Sequence, residues 1–72
     1  MNIKVGDIVE GRHWLDYAIV IEGKVIEVFT LEGITFIRVF DGVSTYTINV
    51  KRIYKVNGFW LREGAIQDYE VV

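Results

Sequence analysis

The sequence predicts a small all-β domain, an antiparallel barrel of about five strands with a C-terminal β-hairpin extension. Gly23, Gly33 and Gly42 recur every nine or ten residues, and the segments between them are short and rich in β-branched and aromatic residues. This spacing is typical of strands joined by tight turns. The 72 residues include twenty-one Val and Ile against three Leu and two Ala, and branching at Cβ favours strands over helices.

The N-terminal part of the chain predicts extended segments separated by a loop. Val5-Gly6-Asp7 indicates a turn into the first strand. Glu22-Gly23 either bends one long strand or joins two strands, since an isolated glycine in a strand often marks a bulge. Between these two signals we expect a strand over residues 8–12, a loop over residues 11–16 and an apolar extended segment over residues 17–21.

The central and C-terminal parts of the chain predict a series of hairpins. The strand over residues 44–50 alternates apolar and polar side chains, as in a sheet with one solvated face. Asn57-Gly58 suits a type I′ turn because both residues tolerate the positive φ angles that this turn requires. The remaining assignments are strands over residues 24–30, 34–40, 53–56, 59–62 and 67–72, and turns at residues 31–33, 41–42, 51–52 and 63–64.

Four segments of the chain resemble the SH3-like barrel superfamily, which includes Tudor and related small domains. They are Val5-Gly6-Asp7-Ile8-Val9, Gly23-Lys24-Val25, Ile37-Arg38-Val39-Phe40-Asp41-Gly42, and Ile53 after a short turn. The resemblance covers the barrel core, residues 5–56, of a single domain that we expect over residues 1–72. The C-terminal hairpin extension over residues 57–72 is not part of the family pattern. The resemblance also implies that six side chains face the barrel interior, namely Val9, Val25, Ile37, Val39, Ile48 and Ile53.

Composition limits the chemistry that this domain can perform. The chain has no cysteine and a single histidine, His13, so we expect neither disulfides nor a zinc site, and no cofactor. No apolar run approaches the ~18 residues that cross a membrane, and the N-terminus lacks the apolar core of a signal peptide. We therefore expect a cytoplasmic protein with no membrane partner. The net charge of −2 provides no long-range attraction for nucleic acid.

The sequence shows no catalytic constellation, so we do not predict an enzyme. His13 could act as a general base, but no serine or cysteine nucleophile stands near it in the sequence. Tudor-like domains, which this chain resembles, hold methylated side chains in an aromatic cage, and residues of the right types occur here. They are Trp14, Asp16, Tyr17, Phe40, Asp41 and Tyr46. For Trp14 and Tyr17 we favour structural packing over a cage.

A surplus of apolar side chains indicates an interaction surface. The chain is 51% apolar and 14% aromatic, yet a domain of this size buries only about 60% of its unfolded surface. Because side chains alternate across a strand, Phe36, Arg38 and Phe40 share the outer face of the strand over residues 34–40. Ile8 and Ile26 are further candidates for the outer face. This surface is covered by Phe59-Trp60-Leu61, by a second copy of the chain or by a partner, and a partial cover by Phe59-Trp60-Leu61 is compatible with the other two.

We therefore predict a non-enzymatic protein-interaction module. It binds a larger protein as an accessory or inhibitor, of the kind that phages encode, either as a monomer or as a homo-oligomer. Buried aromatic residues and arginine carry most interface energy. The predicted protein-binding residues are Phe36, Arg38, Phe40, Trp14, Tyr17 and Trp60.

The alternative function is nucleic-acid binding by an SH3-like domain. Lys51, Arg52 and Lys55 form the basic cluster of the sequence. A basic stripe beside exposed aromatic residues suits a nucleic-acid surface. The competing interpretation, which we favour, is a solvated edge strand on which lysine discourages aggregation.

Overall fold

A computed structural model describes residues 2–61 and 70–71 of the chain, and within them the protein is all-β. A single 3₁₀ turn at Val50–Arg52 precedes the sixth strand. The strands are β1 (Asn2–Ile3), β2 (Ile8–Arg12), β3 (Val20–Leu31), β4 (Ile34–Phe40), β5 (Thr45–Asn49), β6 (Ile53–Val56), β7 (Phe59–Trp60) and β8 (Glu70–Val71). The all-β prediction is confirmed.

Six of the strands form one antiparallel sheet in the order β5-β4-β3-β2-β6-β7. Neighbouring strands from β2 to β5 pair as a meander, and β6 returns to pair with β2. The two edge strands, β5 and β7, are not paired with each other, so the sheet is open in the described part of the chain. β1 and β8 form a separate parallel pair.

β3 is one long strand that bends at Gly23. Its first half pairs with β2 and its second half pairs with β4. A Cβ atom at Gly23 would overlap the carbonyl oxygen of Phe40 and lie 2.8 Å from Cγ1 of Val39. Glycine is therefore required where β3 passes from one neighbour to the other. Of the two interpretations of Glu22-Gly23, the bend is correct.

Two hairpins have the turn geometry that suits their sequences. Glu32 and Gly33 have φ angles of 52° and 79°, and Asn57 and Gly58 have φ angles of 50° and 84°. Two successive positive φ angles characterise the type I′ turn, so the prediction for Asn57-Gly58 is confirmed. The strand predicted over residues 59–62 is observed as Phe59–Trp60.

Some sequence predictions fall on residues outside the described ranges. The turn predicted at residues 63–64 lies there, as does most of the strand predicted over residues 67–72. The described part of that strand, Glu70–Val71, pairs with Asn2–Ile3.

The segment before β3 differs from the sequence prediction. Residues 17–21 were expected to be extended, but the strand begins only at Val20. Asp16 causes the difference, because its Oδ1 accepts a hydrogen bond from the Ala18 N–H at 3.0 Å and its carbonyl accepts one from the Ile19 N–H at 3.0 Å. Such side-chain bonds to nearby backbone favour a turn over a strand.

The core contains all six side chains that the resemblance places inside. Each is at most 1% exposed: Val9, Val25, Ile37, Val39, Ile48 and Ile53. Ile3, Ile21, Val50 and Val56 complete the buried cluster. Ile8 and Ile26 are exposed, as predicted.

Two β-bulges add side chains to the outer face of the sheet. The register between β3 and β4 shifts at Ile26, and the register between β2 and β6 shifts at Tyr54. A bulge leaves one residue unpaired and redirects its side chain. Tyr54 and Lys55 are consequently both partly exposed between buried Ile53 and Val56.

Candidate binding surfaces

The structure places five of the six predicted protein-binding residues on two separate surfaces. Trp14, Phe36 and Arg38 meet over β3, β4 and β5. Tyr17 and Trp60 belong to a separate cluster beside β2, β6 and β7. Phe40 lies at the end of β4 and lines neither surface.

The first surface is an open groove of about 240 Å³, called here the aromatic groove. Phe29 and Phe36 are directly opposite on β3 and β4, and their rings stack with centroids 5.6 Å apart. The ring of Trp14 meets Phe36 edge to face at 6.1 Å, and the backbone N–H of Trp14 donates to the backbone carbonyl of Thr47 at 3.4 Å. The lining residues are Trp14, Phe29, Leu31, Phe36, Arg38 and Thr47.

Arg38 forms the polar rim of the aromatic groove. Its guanidinium carbon lies 5.3 Å from the centre of the Phe29 ring, and its Nε lies 2.9 Å from Oε1 of Glu27. Both side chains of this ion pair are about half exposed, so the pair contributes little to stability. It does hold the guanidinium over the ring.

Phe59 and Trp60 do not cover Phe36 or Phe40. Their strand, β7, lies at the opposite edge of the sheet from β5, and their side chains are 71% and 68% exposed. Leu61 packs against the core instead. The alternative in which Phe59-Trp60-Leu61 forms a cover over the outer face of β4 is therefore wrong, because β6 pairs with β2 and carries β7 away from β4.

The second surface is a row of cations and aromatic rings, called here the cation–aromatic ladder. It begins with Tyr17, whose ring centre lies 4.8 Å from the guanidinium carbon of Arg52 and 5.5 Å from that of Arg12. The same carbon of Arg12 lies 5.7 Å from the ring centre of Tyr54. The ladder consists of Arg52, Tyr17, Arg12, Tyr54, Trp60 and Lys55.

The far end of the ladder is a stacked aromatic pair. The rings of Tyr54 and Trp60 are 5.5 Å apart at an angle of 15°, and Nζ of Lys55 lies 5.1 Å from the centre of the Trp60 ring. The bulge at Tyr54 makes this possible, because it brings Tyr54 and Lys55 to the same face. A regular strand would have placed them on opposite faces.

Tyr54 and Glu10 share a hydrogen bond in which the phenol donates to Oε2 of the carboxylate. Burial, together with this bond to an anion, raises the pKa of Tyr54 to about 12. The bond from Tyr54 lowers the pKa of Glu10 below its ordinary value, with Lys55 and Arg12 acting in the same direction. Tyr54 thus stays neutral and Glu10 stays ionised around neutral pH.

We expect Tyr54→Phe to destabilise the protein by about 1 kcal/mol near neutral pH, since it removes one partly exposed bond to a charged group. The pKa of Glu10 is lower in the folded state, so its contribution is present above pH 4.5 and is lost as the pH falls through the folded value. The pKa of Tyr54 is higher in the folded state, so its contribution is present below pH 10.0 and is lost as the pH rises through about 12. Thermal melts across pH measure both effects.

Tyr46→Phe is the matched control for this experiment. The Tyr46 ring meets His13 edge to face, and no bond from its hydroxyl is found in the described residues. The control should keep the wild-type dependence of stability on pH. Superimposable pH curves for wild type and Tyr54→Phe would contradict the prediction.

The basic cluster of the sequence is only partly assembled. Arg52 and Lys55 belong to the ladder, whereas Lys51 is exposed on the 3₁₀ turn. The Lys51 N–H donates to Oδ1 of Asn49 at 2.9 Å, and within residues 2–61 its ammonium lies over no ring. Lys51 is therefore a residue of the 3₁₀ turn and does not belong to the ladder.

The sequence prediction missed residues on both surfaces. Phe29 could have been found, because a two-residue turn at Glu32-Gly33 places it opposite Phe36. Arg12 could also have been found, since alternation from buried Val9 turns it outward. The role of Tyr54 depends on a bulge that no feature of the sequence predicts.

The residues considered for a methyl-binding cage are not brought together. Trp14 lies in the aromatic groove and Tyr17 in the ladder. Oδ1 of Asp41 accepts bonds from the N–H groups of Val43 and Ser44 at 2.8 Å, and these bonds lower the pKa of Asp41.

His13 has a structural role in its loop. Its Nδ1 accepts a hydrogen bond from the Leu15 N–H at 3.1 Å. This nitrogen is thereby engaged by the backbone rather than presented to a substrate.

Comparison with protein-family models, curated proteins and solved structures finds no match to this chain. No helix in residues 2–61 and 70–71 has the length and apolar character needed to span a bilayer. The same residues contain no group of three His, Asp or Glu side chains arranged to hold a metal ion.

Proposed function

We propose that this chain is an SH3-like barrel domain that acts without catalysis, by binding a larger protein through the aromatic groove. The strand order supports this fold, because four consecutive strands form a meander and a 3₁₀ turn leads into β6, which pairs back with β2. The burial of all six side chains that the resemblance places inside supports it as well.

The groove itself is the observation that supports protein binding. Sites for cofactors and other drug-sized molecules usually enclose about 300–1,000 Å³, and the groove, at about 240 Å³, is smaller and open. Its size and its aromatic lining suit a side chain that protrudes from a protein surface. Aromatic residues and arginine are also the residue types that dominate binding energy at interfaces.

The proposed occupant is an apolar side chain of the partner with a carboxylate beside it. The apolar group would contact the rings of Phe29, Phe36 and Trp14. Glu27 engages Nε of Arg38, and the terminal nitrogens of this guanidinium are bonded to no group in the described residues. A guanidinium with donors to spare recognises a carboxylate by paired hydrogen bonds.

Peptide selection from a random library on the immobilised domain tests this proposal. Selected peptides should share a central apolar residue followed or preceded by Asp or Glu. Leu31→Asp places a charge in the groove at an exposed position and should weaken the binding of these peptides at least about tenfold. Val43→Asp is the matched control, since Val43 is 88% exposed and lies outside the groove.

Circular dichroism should show both variants folded, because neither side chain is buried. Equal binding of the peptides by wild type and Leu31→Asp would exclude the groove as their site. Light scattering distinguishes a larger partner from a second copy of this chain as the occupant of the groove. A wild-type dimer that Leu31→Asp dissociates would show that a second copy occupies the groove, and the proposal of a larger partner would be wrong.

A further inference from the structure

The cation–aromatic ladder places two arginine side chains against one tyrosine ring, with the Glu10 carboxylate near Arg12. Arg12 and Arg52 both lie against the ring of Tyr17. The ion pair found in the described residues joins Arg38 to Glu27, and neither Arg12 nor Arg52 forms one there. Two like charges held against one ring repel each other. An anion that contacts both guanidinium groups would relieve this repulsion.

The geometry of the two arginines suits a phosphate. A guanidinium that lies over an aromatic ring uses its face for the ring and keeps its N–H groups in its own plane. Those N–H groups match the paired oxygens of a phosphate. The guanidinium carbons of Arg12 and Arg52 lie 5.5 Å and 4.8 Å from the Tyr17 ring centre. We expect these contacts to restrict both side chains and so to lower the entropy cost of ordering them on a ligand.

The other end of the ladder offers a surface on which a base can stack. Trp60 is 68% exposed, and Tyr54 supports its ring from one side. Proteins that bind single strands combine cations for the phosphates with aromatic rings for the bases. The ladder has both, on β2, β6 and β7 and on the neighbouring Tyr17 and Arg52.

Because acidic residues lie beside the ladder, we expect base stacking to contribute more to the binding free energy than electrostatic attraction does. The ladder contains three cations, Arg12, Arg52 and Lys55, while Glu10 and Glu22 lie close enough to influence one another and Tyr54. A single strand that binds through one phosphate on the two arginines, or through that phosphate and a second one on Lys55, gives a slope of log K against log salt of about −0.7 to −1.4. A shallow slope of this size is the expected signature.

We propose that the cation–aromatic ladder binds single-stranded nucleic acid, with backbone phosphate on Arg12 and Arg52 and a base stacked on Trp60. The ladder and the aromatic groove share no residue, so this inference does not depend on the proposed protein partner. Duplex DNA is the disfavoured ligand, because its bases are already stacked on each other and cannot reach Trp60.

Fluorescence anisotropy with labelled oligothymidine and oligouridine tests the proposal. Arg52→Ala and Trp60→Ala should each weaken binding about tenfold, while Trp60→Phe, which keeps a ring, should restore most of the affinity. Lys24→Ala is the control, since it removes one positive charge from an exposed position outside the ladder, and it should leave binding within about twofold of wild type.

Tryptophan fluorescence reports stacking directly. The chain has two tryptophans, so Trp14→Phe leaves Trp60 as the single tryptophan. The oligonucleotides should quench its emission, and an unlabelled duplex of the same length should compete poorly.

Four results would overturn the inference. They are equal weakening by Lys24→Ala and Arg52→Ala, absence of quenching at Trp60, tighter binding of duplex than of single strand, and competition by heparin or polyglutamate as effective as that of the oligonucleotide. Equal weakening by the two variants would indicate that binding depends only on the overall charge of the protein. Effective competition by heparin or polyglutamate would indicate that the bases are not recognised. Circular dichroism of every variant separates lost binding from lost structure.

Discussion

Gly23→Ala is expected to destabilise the fold by about 3 kcal/mol, at the upper end of what overpacking a core costs. The new Cβ would overlap the Phe40 carbonyl oxygen and lie 2.8 Å from both the Phe40 carbonyl carbon and Cγ1 of Val39. Two of these three atoms are backbone atoms of β4, so the clash cannot be relieved by a side-chain rotation. Either β3 or β4 must shift.

The consequence should be visible in thermal unfolding. A loss of about 3 kcal/mol lowers the Tm of a domain of this size by roughly 15 °C. Small domains have little stability to lose, so a substantial unfolded population is expected at room temperature. Differential scanning calorimetry or circular dichroism melts would measure it.

Other glycines provide graded controls for this result. At Gly11 a Cβ would lie 2.9 Å from the Arg52 carbonyl oxygen and 3.1 Å from Cα of Ile53, so Gly11→Ala should cost less than Gly23→Ala. Gly33 has a φ of +79° with open space around it, so Gly33→Ala should cost only about 1–2 kcal/mol of backbone strain. A Gly23→Ala protein as stable as Gly33→Ala would contradict the close approach of β3 and β4.

Asp7→Ala is expected to cost about 3 kcal/mol, because it leaves two donors without their acceptor. Asp7 is only 5% exposed. Its Oδ2 accepts from the Lys4 N–H at 3.0 Å, and its Oδ1 accepts from the Asn57 side-chain amide at 3.2 Å. Asn57 in turn accepts from the Ile8 N–H at 2.9 Å. This chain of bonds ties the turn before β2 to the turn between β6 and β7.

Asp16→Ala is the matched control, since Asp16 is exposed and its side chain accepts one bond, from the Ala18 N–H. Urea unfolding of both variants would give the comparison directly. We expect a clear loss of stability for Asp7→Ala and a loss of about 1 kcal/mol or less for Asp16→Ala. Similar losses for the two variants would mean that burial of the hydrogen bonds of Asp7 does not add to the free energy of unfolding.

The sequence predicted the structure correctly where the structure depends on residues adjacent in the sequence. Asn57-Gly58 predicts its turn because few residues adopt two positive φ angles in succession. Alternation along residues 34–40 correctly separates buried Ile37 and Val39 from the outer side chains. The loop before β3 was less predictable, because the bond from Ala18 to Asp16 overrides an apolar pattern that favours a strand.

The candidate sites were predicted less well than the fold. Six residues were grouped as one protein-binding surface, yet Tyr17 and Trp60 lie in the ladder and Phe40 in neither site. Periodicity shows that a side chain points outward. It does not show which outward side chains are neighbours, since that depends on strand order and on loops.

By itself, the sequence determined that this protein is all-β, that Asn57-Gly58 forms a tight turn, and that side chains alternate between two faces along residues 34–40. These properties follow from local sterics, namely the φ angles that Asn and Gly allow and the two-residue period of a strand. Only the tertiary structure decided that β6 returns to β2 and that a bulge turns Tyr54 outward. The physical reason is that Arg12, Tyr17 and Arg52 meet through pairing between distant segments, which no local pattern encodes.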